Sequence, residues 1–124
     1  MGVPLHPSTQ LEIDGIESPI ALTNTLNVGL VADALISHAI ERDPDIGIGT
    51  AGTVNVVVGE TNDGYLNDIQ GRHVRAGQVQ AAIASASAGP VAEGAEGAGT
   101  GTICFGWKGG VGTASRVVPD GVGG

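Results

Sequence analysis

The residues best equipped for chemistry lie in one polar run, from Glu60 to Asp68. Glu60, Asp63 and Asp68 bring carboxylates, Asn62 and Asn67 amides, and Tyr65 a phenol. The run sits just past an apolar, strand-like segment, which is where α/β proteins place their sites. A solvated turn that caps a helix is the competing reading. Lys108, one of only five Lys and Arg residues, stands between Trp107 and two glycines. A lysine pressed against an aromatic ring and bare backbone is desolvated and suits catalysis. A lysine on a surface turn is the plainer alternative.

Other constellations carry less. Gly97-Ala-Gly-Thr-Gly101 has the composition of a phosphate loop. Such loops follow a strand and open a helix, whereas here a helical pattern precedes and strand-like residues follow. Glycine that lets two backbones approach is the simpler account. His6, His38 and His73 are far apart and Cys104 stands alone, so no spacing matches zinc, and Asp63-Gly64 lacks the alternating carboxylates of a calcium loop. No metal or cofactor is expected. Cys104, between Ile103 and Phe105, reads as a small buried hydrophobe. Five Gly-Thr bonds, at Thr50, Thr53, Thr100, Thr102 and Thr113, resemble junctions cut by self-cleaving hydrolases. Composition alone produces that many. Ser115 lacks the flanking glycines of a nucleophile elbow.

These residues must be positioned by a chain of 124 residues with unusually small side chains. Glycine supplies 22 of them, and there is one Phe, one Trp and one Tyr. The formal charge of -8 argues against nucleic acid and against an anionic membrane surface. No apolar run reaches the ~18 residues of a membrane span. The opening residues carry no basic segment followed by an apolar one, and the one Cys builds no disulfide framework. A cytoplasmic setting is therefore expected. The apolar fraction of 41% is too high for a disordered tail. Few bulky groups leave little to bury, so the chain is expected to be marginal or self-associating on its own.

Strand and helix patterns alternate, which indicates an α/β class. Residues 1–19 are rich in turn formers, with Pro4, Pro7, Asp14-Gly15 and Pro19. A short strand is expected over 20–25. Apolar residues at Val28, Val31, Ala32, Leu35, Ile36, Ala39 and Ile40 then take helical spacing, with Asn27 as N-cap and Pro44 beyond the end. Residues 45–52 read as a loop and 53–58 as a strand rich in valine. A second helix is expected over 78–87, closed by Gly89-Pro90. Strands are expected over 102–105 and 113–118 around a turn at 107–110, followed by a loose tail from Pro119. Nothing divides the chain internally, so residues 1–124 read as a single domain.

Three blocks together are more specific than any single motif. They are Pro19-Ile-Ala-Leu-Thr-Asn-Thr-Leu-Asn-Val-Gly29, Gly59-Glu-Thr-Asn-Asp-Gly-Tyr-Leu-Asn-Asp-Ile69, and the long run from Gly97 through Cys104-Phe-Gly-Trp-Lys-Gly-Gly110 to Arg116. In this order and spacing the chain resembles the self-processing aminopeptidases of the DmpA type. That family includes L-aminopeptidase/D-esterases, β-aminopeptidases and nylon-oligomer hydrolases. The resemblance runs from about Gln10 to Val118.

The resemblance implies an αββα layered fold and an N-terminal Ser or Thr nucleophile, freed by self-cleavage, whose own amine serves as base. Family members are more than twice as long and assemble into oligomers. Their opening segment would precede Met1. Their nucleophile, and an Asn that helps stabilise the oxyanion, would follow Gly124. The chain is thus expected to be a middle segment of the nucleophile-lacking subunit. Its partners would be the rest of the hydrolase and a peptide or amide substrate with a free amine. Glu60 matches a glutamate that contacts that amine, a sensible role for a carboxylate facing an ammonium. Lys108 matches a lysine near the site in nylon-oligomer relatives. Asn62 falls where some members place a tyrosine near the nucleophile, and its amide could still donate a hydrogen bond. The alternative is a non-catalytic binding or structural fragment derived from the same fold.

Overall fold

The computed structural model describes residues 18–119 and Gly121, and the expected turns before Ser18 and most of the expected tail lie outside them. Strand β1 (Ile20–Asn24) leads through a 3-10 turn (Thr25–Asn27) into helix α1 (Val28–Arg42). A loop then returns the chain to β2 (Val57–Thr61). β1 and β2 pair in parallel, with Ile20 opposite Val57 and Asn24 opposite Thr61. Parallel neighbours need a long crossover, and α1 supplies it, giving a βαβ unit. Helix α2 (Ala76–Ser85) packs on α1, which packs on both strands. The class is α/β, as the alternating pattern implies.

The small core follows from two periodicities. Val31, Ala34 and Leu35 come from one face of α1, and Val79 adds the contact from α2. Ala21, Val56 and Val58 close on this cluster from the sheet side. Leu35 is fully buried, worth about 2–3 kcal/mol. Ile36 and Ile40, expected on the buried face, instead stay 37% and 43% exposed, because the sheet covers a narrower stripe of α1. The other sheet face carries Ile20 and Leu22, 58% and 61% exposed. A residue-by-residue alternation sends Ala21 and Thr23 one way and these two the other.

Several expected boundaries move. β2 lies over 57–61 rather than 53–58, because β1 begins at Ile20 and offers no partner to residues before Val57. α2 begins two residues early, where the Gln78 side chain accepts from the Arg75 amide and secures the first turn. It ends at Ser85, before Gly89. Asn27 occupies the N-cap position of α1 without making a capping bond, since its side chain turns to Asn24.

Near the C-terminal end, β3 (Ile103–Cys104) and β4 (Trp107–Lys108) form a two-residue hairpin. Its turn falls at Phe105-Gly106, with φ of +51° and +80°, not at 107–110. Residues 113–118 form no strand. Cys104 is exposed, contrary to the buried reading, because this hairpin stands at the surface with nothing packed over it among the described residues.

Candidate functional site

β1 and β2 end side by side, and the polar residues gather at those carboxyl ends, where parallel sheets expose their sites. Glu60 belongs to β2 itself, opposite Thr23. Its carboxylate Oε2 accepts from the hydroxyl of Thr25, the first residue after β1. A cleft of about 280 Å3 opens here, between the strand ends and the backbone of the glycine-rich segment at Ala98, Gly99 and Gly110. Glu60 lines it.

Glycine is required along that wall. Gly94 and Val111 exchange two backbone hydrogen bonds of 2.8 Å. A Cβ on Gly99 would lie 2.6 Å from both the Gly94 carbonyl and the Val111 amide, and one on Gly110 would collide with the Gly94 backbone. The run 97–101 is therefore a close-approach segment, not a phosphate loop that opens a helix.

Lys108 reaches the same wall from behind. Its ammonium donates to the carbonyls of Gly99 at 3.0 Å and Gly109 at 2.6 Å. The structure thus links Lys108 to the cleft through Gly99, although Lys108 itself does not line it. Asn62 sits apart from the cleft. Its Oδ1 accepts from the Gly64 amide at 3.1 Å in a local turn, which leaves its Nδ2 for other partners.

Beside Glu60 runs a part-buried polar chain that joins Asp63 and Asn67 of the acidic run to Asn24 and Asn27, which the sequence pattern did not single out as site residues. Asn27 Nδ2 donates to Asn24 Oδ1 at 2.5 Å, and Asn24 Nδ2 donates to Asp63 Oδ2 at 3.5 Å. Asn67 Nδ2 donates to the same oxygen at 2.9 Å. Asp63 is 7% exposed and Asn27 is fully buried. The carboxylate accepts only, so it fixes which way the Asn24 amide faces, and Asn24 in turn fixes Asn27. The Asp63 carbonyl also accepts from the amides of Leu66 and Asn67, closing the turn after β2. The available signal was position: Asn24 and Asn27 directly follow a strand that ends where the acidic run begins.

Asp68 makes no hydrogen bond to this cluster among the described residues. It accepts from the Gly71 amide and meets His73 Nε2 at 2.9 Å. His73, and then the Gly71 amide, hold its carboxyl below the usual aspartate range. This is the one ion pair among the described residues, and no group of three His, Cys, Asp or Glu there could hold a metal. No helix among them is long and apolar enough to cross a membrane.

The model of peptidase family S58 matches residues 7–124. The chain is 47% identical over 103 residues to the beta-peptidyl aminopeptidase BapA of Sphingosinicella microcystinivorans, a match that covers 82% of this chain and 24% of BapA. The solved PH0078 protein of Pyrococcus horikoshii is 50% identical, with a TM-score of 0.76 over 90% of this chain and 31% of that one. An L-aminopeptidase D-Ala-esterase/amidase from Ochrobactrum anthropi is 42% identical, with a TM-score of 0.70 over 81% of this chain and 28% of that one. That enzyme is described as a prototype of the serine aminopeptidases and a variant of the Ntn hydrolase fold. The chain belongs to peptidase family S58, whose DmpA-type aminopeptidases are hydrolases. It spans about a quarter to a third of the length of these relatives.

Proposed function

We propose that this chain is a segment of an aminopeptidase-type amide hydrolase and forms part of the wall of its substrate pocket. One observation carries the reading: Glu60 lines the cleft at the strand ends, with one oxygen held by Thr25. Its other oxygen, which has no hydrogen-bond partner among the described residues, would meet the ammonium of a substrate. A charge-assisted contact of this kind orients a free-amine substrate and discriminates against an amine-blocked one.

In this reading the attacking hydroxyl belongs to an N-terminal Ser or Thr elsewhere in the polypeptide, with its own amine as base. The βαβ unit here would be one part of an αββα sandwich, and the exposed Ile20 and Leu22 would pack against the rest of it. Lys108, anchored on the Gly99 carbonyl, stiffens the cleft wall and keeps a positive charge near the reacting amide. Asn62 lies outside this cleft, so its Nδ2 would donate only to a group that the rest of the polypeptide brings beside it. Assembly into an oligomer, which the family resemblance implies, and a cytoplasmic setting complete the proposal.

The test combines this chain with the rest of its polypeptide and uses β-alanine p-nitroanilide as substrate. Glu60→Gln should raise KM for the free-amine substrate. It should leave inhibition by an N-acetylated amide of the same size nearly as it was. Equal weakening toward both compounds would remove the amine-binding role of Glu60. A completed polypeptide that binds amides without hydrolysing any would favour the non-catalytic alternative.

A further inference from the structure

Glu60 is an exposed glutamate on a strand end, with three freely rotating side-chain bonds. An unheld carboxylate of this kind spreads over many orientations, and ordering it at the moment of binding costs affinity. Here the Thr25 hydroxyl donates to one of its oxygens. A hydroxyl carries a single proton, so this donation fixes the hydroxyl as well as the carboxylate.

Thr25 is itself held by its neighbours. Its carbonyl accepts from the Val28 amide in the 3-10 turn that opens α1. The residue before it, Asn24, is the last in the β1 ladder and donates to Asp63. Glu60 is fixed in backbone by the same ladder. Two adjacent residues at the end of β1 therefore reach across to two carboxylates on the second strand and its turn: Thr25 to Glu60 and Asn24 to Asp63. The part-buried pair secures the frame and the exposed pair aims the side chain.

We infer that Thr25 is the positioning residue for substrate-amine recognition, holding Glu60 with one oxygen turned to the cleft. The inference rests on the reading of Glu60 as the amine-binding carboxylate. It assigns a selectivity role to a side chain that touches no reacting atom and acts through Glu60.

The experiment uses the completed hydrolase, with the free-amine β-alanine amide and its N-acetyl counterpart as competitive inhibitors. Thr25→Val keeps the shape of the side chain and removes the donor. It should weaken the free-amine inhibitor about three- to tenfold, the range for a partly solvated bond to a charged group, and spare the N-acetyl compound. Thr25→Ser restores the donor and should restore the preference. Equal weakening of both inhibitors in Thr25→Val would mark a merely structural contact and overturn the inference. So would an unchanged preference in Thr25→Val alongside a lost preference in Glu60→Gln, a result that leaves the reading of Glu60 standing. An unchanged preference in Glu60→Gln overturns that reading and the inference with it.

Discussion

Asn24 and Asp63 join the end of β1 to the turn after β2 by a part-buried amide-to-carboxylate contact of 3.5 Å. Asp63 receives a second amide from Asn67 at 2.9 Å. Asp63→Ala removes one oxygen, Oδ1, that is buried without a partner among the described residues, but leaves the half-buried Asn24 amide without its acceptor. The net loss should be about 1–3 kcal/mol. Asn67→Ala, which removes a single bond at an exposed residue, should cost less. Urea unfolding of the variants measures both, and the order of the two losses is the prediction.

Gly101 and Gly110 should be intolerant of alanine. A Cβ at Gly101 would overlap the Asp63 and Asn67 side chains, and one at Gly110 the Gly94 backbone. Each substitution should cost about 1–3 kcal/mol through forced backbone shifts. Gly112→Ala is the control, since a Cβ there meets nothing within 4 Å. Its unfolding midpoint should stay within error of the parent or rise slightly.

These two sets of residues show how far the amino-acid pattern could be read. α1 was legible to its ends because the apolar spacing and the stop at Pro44 agree, and Asn27 stands at the N-cap position although it makes no capping bond. β2 was displaced because Val56, Val57 and Val58 advertise a strand by type, whereas the partner strand decides where pairing starts. The hairpin was misplaced because Gly109-Gly110 looks like the turn, yet those glycines serve close approach to Gly94 and Thr102. Glu60 and Lys108 were legible as candidates through the family resemblance. Their geometry, with Thr25 on Glu60 and Gly99 under Lys108, depends on contacts between residues 9 and 35 positions apart, which spacing along the chain does not encode.

The Asp68–His73 pair predicts a specific acid response. The carboxyl pKa is depressed in the folded chain, so its contribution is present above the ordinary aspartate value. It is lost as pH falls through the lowered folded value, that is, below about pH 4. Asp68→Asn should therefore be less stable than the parent at pH 6, and the gap should close as the solution is acidified toward pH 2. Thermal melts across that range measure it. A gap that widens on acidification would contradict the assignment.

The exposed apolar groups predict association of the isolated chain. Phe105 is 97% and Trp107 79% exposed, and Ile20 and Leu22 add an uncovered sheet face. Patches of this kind mark interaction surfaces. Sedimentation at rising concentration should show self-association of the isolated chain, weakened by Leu22→Ser. A compact monomer that resists heating would show that the small core suffices.

The most direct test of the whole account is hydrolysis of β-alanine p-nitroanilide by this chain alone and by this chain combined with the rest of its polypeptide. The account predicts no p-nitroaniline above background from the first and steady release from the second, weakened by Glu60→Gln. Enzyme-like turnover by the isolated chain would contradict it.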